Sequence, residues 1–228
     1  MIHLVQVMSH LFSIQNVNKS FSERIVLKNI CAEINSGEVI LINGRSGSGK
    51  TTLLNLLAGL GNVDSGNILF NNKDITTLTM NQRCTLRLSS FGIVYQSFNF
   101  LPSLTLKENI LVPALMLGTP KKTYTERLDY LANLFSISHC LNQFLTTVSG
   151  GELQRAAIIR ALINSPKVIL ADEPSGNLDT HQRDIIFATF NKIASLENVT
   201  IIMTSHDPHA KKNVNRILEL NDGQFIKK

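Results

Sequence analysis

The 228-residue chain has no tryptophan, three cysteines, six prolines and no long apolar run. Each shortage excludes something. A helix that crosses a bilayer needs roughly 18 to 20 consecutive apolar residues. No run here reaches that length, so the chain is not expected to span a membrane by itself. Cys31, Cys84 and Cys140 are far apart, odd in number and outside any CxxC or CxxH spacing. That argues against a zinc motif and against a disulfide framework, and leaves three reduced, mostly structural cysteines in a cytosolic protein. There is no internal repeat, low-complexity tract or Pro/Gly/Ser linker, which argues against a tandem protein. The opening MIHLVQVMSHLF lacks a basic n-region and a small-residue cleavage site, so it does not read as a signal peptide. About residues 1–10 read as a lead-in, with Met8 an alternative start to Met1.

What is present allows a sizeable core. Hydrophobic residues make up 43% of the chain, which excludes a disordered or collagen-like polymer. Twenty-two Lys and Arg against 17 Asp and Glu leave a charge of +5, which suits an anionic partner without selecting among ATP, lipid and nucleic acid.

Organisation follows from the spacing of apolar residues. LFSIQNVNKSFSERIVLKNICAEINSGE holds short β-branched runs broken by Asn, Ser and Gly, the pattern of an antiparallel sheet. VILIN (Val39 to Asn43), VILA (Val168 to Ala171) and VTIIMT (Val199 to Thr204) are nearly all apolar, as in parallel strands buried on both faces. TLLNLLAGL after Thr51 reads as a helix. Strands alternating with helices indicate a mainly parallel α/β sheet. Between Leu101 and Ile163 the strand signal disappears. There Thr123 and Glu126 suggest a capping box, followed by Tyr124, Leu128, Leu131 and Phe135 at helical spacing, and a helical subdomain is expected. The chain closes with RILELNDGQFIKK, where Asp222 and Gly223 suit a hairpin turn.

Three stretches carry phosphate chemistry. The first is GRSGSGKTT: Gly44, Arg45, Ser46, Gly47, Ser48, Gly49, Lys50, Thr51 and Thr52. It fits GxxxxGK[ST] and lies between a buried strand and a helix, where glycines let successive backbone N–H groups turn toward phosphate oxygens. Lys50 is then placed for the β- and γ-phosphates and Thr51 for Mg²⁺. The second is VILADEP, an apolar strand ending in two carboxylates at the edge where open α/β sheets bind ligands. Asp172 is suited to the Mg²⁺ shell, and Glu173 to polarising an attacking water. In the third, VSGGELQRAAIIRAL, Ser149, Gly150 and Gly151 open a helix that carries Arg155, making a second anion-facing helix N-terminus.

From about Phe12 to Phe225 these motifs resemble the ATP-binding cassette (ABC) ATPases. VSGGE is similar to the family's LSGGQ signature, with Val148 for the usual Leu and Glu152 for the common Gln; Arg45 stands where relatives usually have Pro. Gln96 resembles the Q-loop glutamine, whose amide can accept at the metal and donate to water. Asp179 resembles the D-loop aspartate, His206 the switch histidine, and Phe21 the A-loop aromatic that stacks on adenine.

The resemblance implies a single P-loop NTPase cassette over residues 1–228. Its core and β lobe would occupy about 11–100 and 165–228, with a helical subdomain carrying the signature at about 101–164. It also implies ATP and Mg²⁺, and two copies meeting head to tail, so that Ser149, Gly150 and Gly151 of one bind the γ-phosphate held by the other's Lys50. A separately encoded transmembrane permease would hold the pair peripherally at the cytoplasmic side of the inner membrane. Within the family, LADEPSGNLD, FNFLPSLTLKENI and the NDGQF tail resemble lipoprotein-releasing ATPases, macrolide exporters and FtsE-type division ATPases, the lipoprotein-releasing type fitting best. Nucleic acid is not an expected partner: repair ABC ATPases carry a long coiled coil and translation types two cassettes. A small P-loop kinase or GTPase leaves Ser149 to Gly151 and His206 without a purpose.

Overall fold

The computed structural model describes residues 10–174, 180–206 and 208–226. Strands β1 (His10–Phe21) and β2 (Arg24–Asn35) form a long antiparallel hairpin with Phe21 opposite Arg24. Next come β3 (Val39–Asn43), helix α1 (Lys50–Leu57), and the strands β4 (Ser65–Phe70) and β5 (Lys73–Asp74). Helix α2 (Met80–Ser90) leads into β6 (Phe91–Val94). Helices α3 (Leu106–Leu117), α4 (Lys121–Leu134) and α5 (Gly150–Leu162) follow without a strand among them. The chain then returns through β7 (Val168–Asp172), α6 (Thr180–Glu197) and β8 (Thr200–Ser205), and ends in the hairpin of β9 (Arg216–Asn221) and β10 (Gln224–Phe225).

Two sheets result. The antiparallel one runs β2-β1-β4-β5, and the six-stranded one β10-β9-β3-β8-β7-β6, parallel except at the closing hairpin. Asp222 and Gly223 turn that hairpin, both with positive φ, as the sequence predicts.

The parallel strands explain their own composition. In β3, Val39 and Leu41 face one apolar cluster while Ile40 and Ile42 face the other. The same alternation divides Ile169 and Ala171 from Val168 and Leu170 in β7. Every residue must be apolar because side chains alternate and both faces are covered. One cluster lies toward α3, α4 and α5, the other toward α1 and the antiparallel sheet. In the second, Phe70 meets Phe12 at 5.0 Å and Phe91 edge-on at 4.8 Å between ring centres, joining the two sheets.

The helical region lies where expected, but its second helix starts differently. No capping box forms at Thr123 and Glu126. Helix α4 begins three residues earlier, with Pro120 at the N-cap and no side-chain cap. Proline's fixed φ already suits helix entry, and Tyr124 N–H donates to Pro120 O at 3.2 Å to close the first turn. Glu126 instead faces Lys122 at 4.0 Å, one turn back. True capping boxes open α3 (Thr105 with Glu108) and α2 (Thr79 with Gln82). The β8 strand begins at Thr200, one residue later than its sequence suggests. Of the cysteines, Cys140 is buried while Cys31 and Cys84 are exposed.

Phe12 is fully buried between the sheets. Phe12→Ala is expected to cost about 3–5 kcal/mol, read from the shift in denaturant midpoint at unchanged slope.

Candidate active site

The loop after β3 closes on itself before α1 starts. Gly49, the α1 N-cap, has φ 103°, a left-handed conformation that a side chain would resist. At Gly44 a Cβ would stand 2.2 Å from the Leu220 carbonyl oxygen and 2.7 Å from Ser48 Oγ, so only glycine fits. Lys50 is 5% exposed, and its Nζ donates to the carbonyls of Gly44 and Arg45, each at 3.0 Å. A strongly hydrated ammonium is thereby held inside the loop, where an anionic ligand can claim it. Ser48 Oγ is buried without a hydrogen-bond partner, a donor the loop itself does not use.

Parallel pairing brings three strand ends to this loop. Asp172, the last residue of β7, accepts from Thr51 Oγ1 at 3.0 Å and from Thr204 Oγ1 at 2.7 Å. Glu173 follows with φ 44°, an uncommon conformation for a residue with a side chain, and its N–H donates to Thr204 Oγ1 at 3.0 Å. That turn sets the Glu173 carboxylate between two cationic or potentially cationic groups: Lys50 Nζ at 3.8 Å and His206 Nδ1 at 3.2 Å.

A cavity of about 480 Å³ lies above, lined among others by Ser46, Gly47, Gly49, Lys50, Thr51, Thr52, Gln96 and Glu173. A neighbouring hollow holds Gly44, Arg45 and His206. The hairpin side of the main cavity is formed by Arg24 and Val26, which sequence reasoning missed. Phe21 does not line it: this ring is 57% exposed and has Lys19 Nζ at 5.3 Å. The two-residue hairpin turn is the signal that could have pointed to Arg24, since it pairs Arg24 with Phe21. Asp179 lies outside the described residues.

The signature turn is built separately. Ser149 caps α5: its Oγ receives the Glu152 N–H and donates to Glu152 Oε2, while Ser149 N–H donates to the same carboxylate at 2.9 Å. Ser149 and Gly150 are exposed, and neither lines the cavity. The serine's two hydrogen bonds, reinforced by His139 Nε2 at 2.8 Å from Oε1, hold the Glu152 carboxyl down at about 2.

A family profile described as "ABC transporter" matches residues 27–176, more than half of the chain. This chain belongs to the ABC transporter family. As an ABC cassette it is an ATP hydrolase, with the α/β P-loop fold, antiparallel β subdomain and inserted helical subdomain described above. It is 36% identical to the ABC transporter ATP-binding protein YxdL of Bacillus subtilis, covering 96% of this chain and 86% of that protein. It is also 36% identical to the lipoprotein-releasing system ATP-binding protein LolD of Buchnera aphidicola, covering 92% and 94%. The macrolide export ATP-binding/permease protein MacB of Campylobacter jejuni is 34% identical over 93% of the cassette, which spans only 33% of MacB. Among solved structures, the dimeric bacterial ABC transporter cassette MJ0796 superposes with a TM-score of 0.86 at 31% identity, covering 95% of this chain and 97% of that one. The same cassette, bound to ADP and phosphate after hydrolysis, gives 0.85 at 30% identity.

The Glu152 carboxyl is held below its ordinary value by the cap it makes with Ser149. Its cap is fully present above about pH 4.5, the ordinary carboxyl value, and is lost as pH falls toward about 2. Stability should therefore decline more steeply over that acid range in the wild type than in Glu152→Gln, measured as denaturant midpoint against pH. Lys50→Ala should weaken ATP binding roughly ten- to a hundred-fold by calorimetry, as loss of a charge-assisted hydrogen bond implies.

Proposed function

We propose that this cassette binds ATP between two copies of itself and drives a separately encoded membrane permease of the lipoprotein-releasing or exporter type. One observation carries the first part. Ser149 and Gly150 are exposed and, with Gly151, stand outside the cavity that collects Lys50, Thr51, Gln96 and Glu173, so one chain presents two half-sites. Head-to-tail pairing of two copies would complete both, and the dimeric structure of MJ0796 is in keeping with that arrangement.

In this reading the loop from Gly44 to Thr52 cradles the phosphates, with Ser48 Oγ and the backbone N–H groups as donors and Lys50 as the charge facing the β- and γ-phosphates. Thr51, Asp172 and Gln96 form an all-oxygen donor set that fits a hard divalent cation. They would hold Mg²⁺, which when bound neutralises phosphate charge. Glu173 takes the proton from the attacking water, and His206 orients that carboxylate through its contact at 3.2 Å. Ser149 and the Gly150–Gly151 backbone engage the γ-phosphate held by the opposite copy. Arg24 flanks the nucleotide from the hairpin, where Phe21 was expected.

Coupling to a partner has a physical route. Arg160, on the signature helix, donates to the carbonyls of Phe98 and Asn99 and lies 4.6 Å from the centre of the Phe100 ring. The segment after Gln96 is thus tied to the helix that Ser149 caps. Arg160 also lines a hollow of about 210 Å³ with Tyr95 and Pro113, and Leu101, Leu115 and Met116 are exposed. Among the described residues no helix is long and apolar enough to cross a membrane. A permease seated there would hold the cassette peripherally at the cytoplasmic side of the inner membrane. The names of LolD and MacB support the branch, and MacB's name joins ATP-binding and permease functions in one protein.

Glu173→Gln should keep ATP binding, accumulate an ATP-dependent dimer on gel filtration and lower turnover by about 10²–10⁴. Turnover at the wild-type rate would refute the general-base role. A mixture of Lys50→Ala and Ser149→Ala chains should form dimers with one intact composite site, and a mixture without activity would refute head-to-tail sharing.

A further inference from the structure

Glu152 has two faces. Its Oε2 serves the signature serine, while Oε1 points away toward a short helical turn, Ser138–Cys140, that packs beside the start of α5. There His139 Nε2 lies 2.8 Å from Oε1, and the ligand atoms of His139, Cys140 and Glu152 all fall within 4.8 Å of one another. The cysteine spacing gave no hint of this, because the carboxylate lies 13 residues from His139, in the first turn of α5.

The three donors differ in kind: an imidazole nitrogen, a sulfur and a carboxylate oxygen. Around a tetrahedral zinc, with Zn–N about 2.0 Å and Zn–S about 2.3 Å, neighbouring ligand atoms stand roughly 3.3–3.8 Å apart. The trio, with one pair at 2.8 Å and all its ligand atoms within 4.8 Å, brackets that spacing. Cys140 is buried at 1% exposure, and Glu152 is 18% exposed at its side chain. The His139 side chain is 65% exposed, which leaves an entry path and a fourth position for water. Sulfur and imidazole select a zinc-class ion over the Mg²⁺ that suits the oxygen donors at Thr51 and Asp172.

We propose that His139 Nε2, Cys140 Sγ and Glu152 Oε1 form a site for a thiophilic divalent cation of the zinc class, seated on the signature turn, which tunes phosphate engagement by Ser149. Binding forms a metal–sulfur bond and releases the Cys140 thiol proton to solvent. Burial and the Glu152 charge push the Cys140 thiol up from its ordinary value, against a backbone hydrogen bond and the Arg155 guanidinium, so the metal must displace that proton. The consequence follows from charge. A carboxylate beside an anion-binding turn repels the incoming γ-phosphate and occupies the serine hydroxyl. A cation on Oε1 neutralises that charge and lets Ser149 Oγ turn to the phosphate. This second half rests on the composite-site reading above; the metal site itself does not.

The test uses the full chain with Cys31→Ser and Cys84→Ser, leaving Cys140 as the sole thiol. Zn²⁺ titrated calorimetrically in excess Mg²⁺ should bind one equivalent. Co²⁺ should give a thiolate charge-transfer band. Cys140→Ser should abolish the band, and either Cys140→Ser or His139→Ala should weaken Zn²⁺ roughly ten-fold or more. His139 is exposed, so its variant keeps the test valid if Cys140→Ser folds poorly. Zinc affinity in both variants unchanged from that of the parent with Cys140 as sole thiol, or no thiolate band, would overturn the site. In the Glu173→Gln background, one equivalent of Zn²⁺ should lower the ATP concentration for half-maximal dimer formation several-fold, and this shift should vanish with His139→Ala. Zinc binding with an unshifted dimer midpoint overturns the coupling but not the site. Absence of any ATP-driven dimer, with or without zinc, counts against the composite-site reading instead.

Discussion

The Asp172 carboxylate, accepting one hydroxyl from α1 and another from β8, is the contact on which the site depends. It ties the phosphate loop's helix to two strand ends. Those strands are held in register by parallel pairing, Asp172 beside Thr204 and Ile42 beside the same threonine. Slipping any one of them by a residue would exchange the side chains packed into the two clusters and take Asp172 away from Thr204. The same rigidity supports the left-handed turn at Glu173, whose N–H is taken by Thr204 Oγ1. Strain at this carboxylate persists because its neighbours over-determine it.

A second constraint acts through α5. Its N-cap serine is committed to the Glu152 carboxylate, and its Arg160 grips the backbone after Gln96. One rigid helix therefore connects the exposed signature turn, the segment that follows the cavity-lining glutamine, and the hollow by Tyr95. A shift of this helix would move both ends at once, which is the coupling route proposed above.

How legible this was depended on how local each signal is. The strand β3 and the glycine loop are contiguous, and their spacing alone places Lys50 and Thr51. Helix α2 was not legible, because none of its residues is buried and it shows no apolar stripe to read. The start of α4 was misplaced because a Thr/Glu pair at capping spacing competes with a proline that enters a helix without help. Phe21, which the resemblance puts at the adenine, does not line the cavity; its wall there is Arg24 and Val26, set by the turn of a hairpin whose cross-strand pairing a linear motif does not encode.

By itself, then, the sequence determined the fold class, the phosphate loop, the paired carboxylates after β7 and the glycine turn that opens α5. Each is a run of neighbouring residues with one backbone requirement. Only the tertiary structure decided what those pieces face: Glu173 between Lys50 and His206, Arg160 on the loop after Gln96, and His139 with Cys140 against Glu152. These contacts join residues from about 10 to more than 120 positions apart. They exist only once both faces of the parallel sheet are buried and its strand ends are forced to one edge.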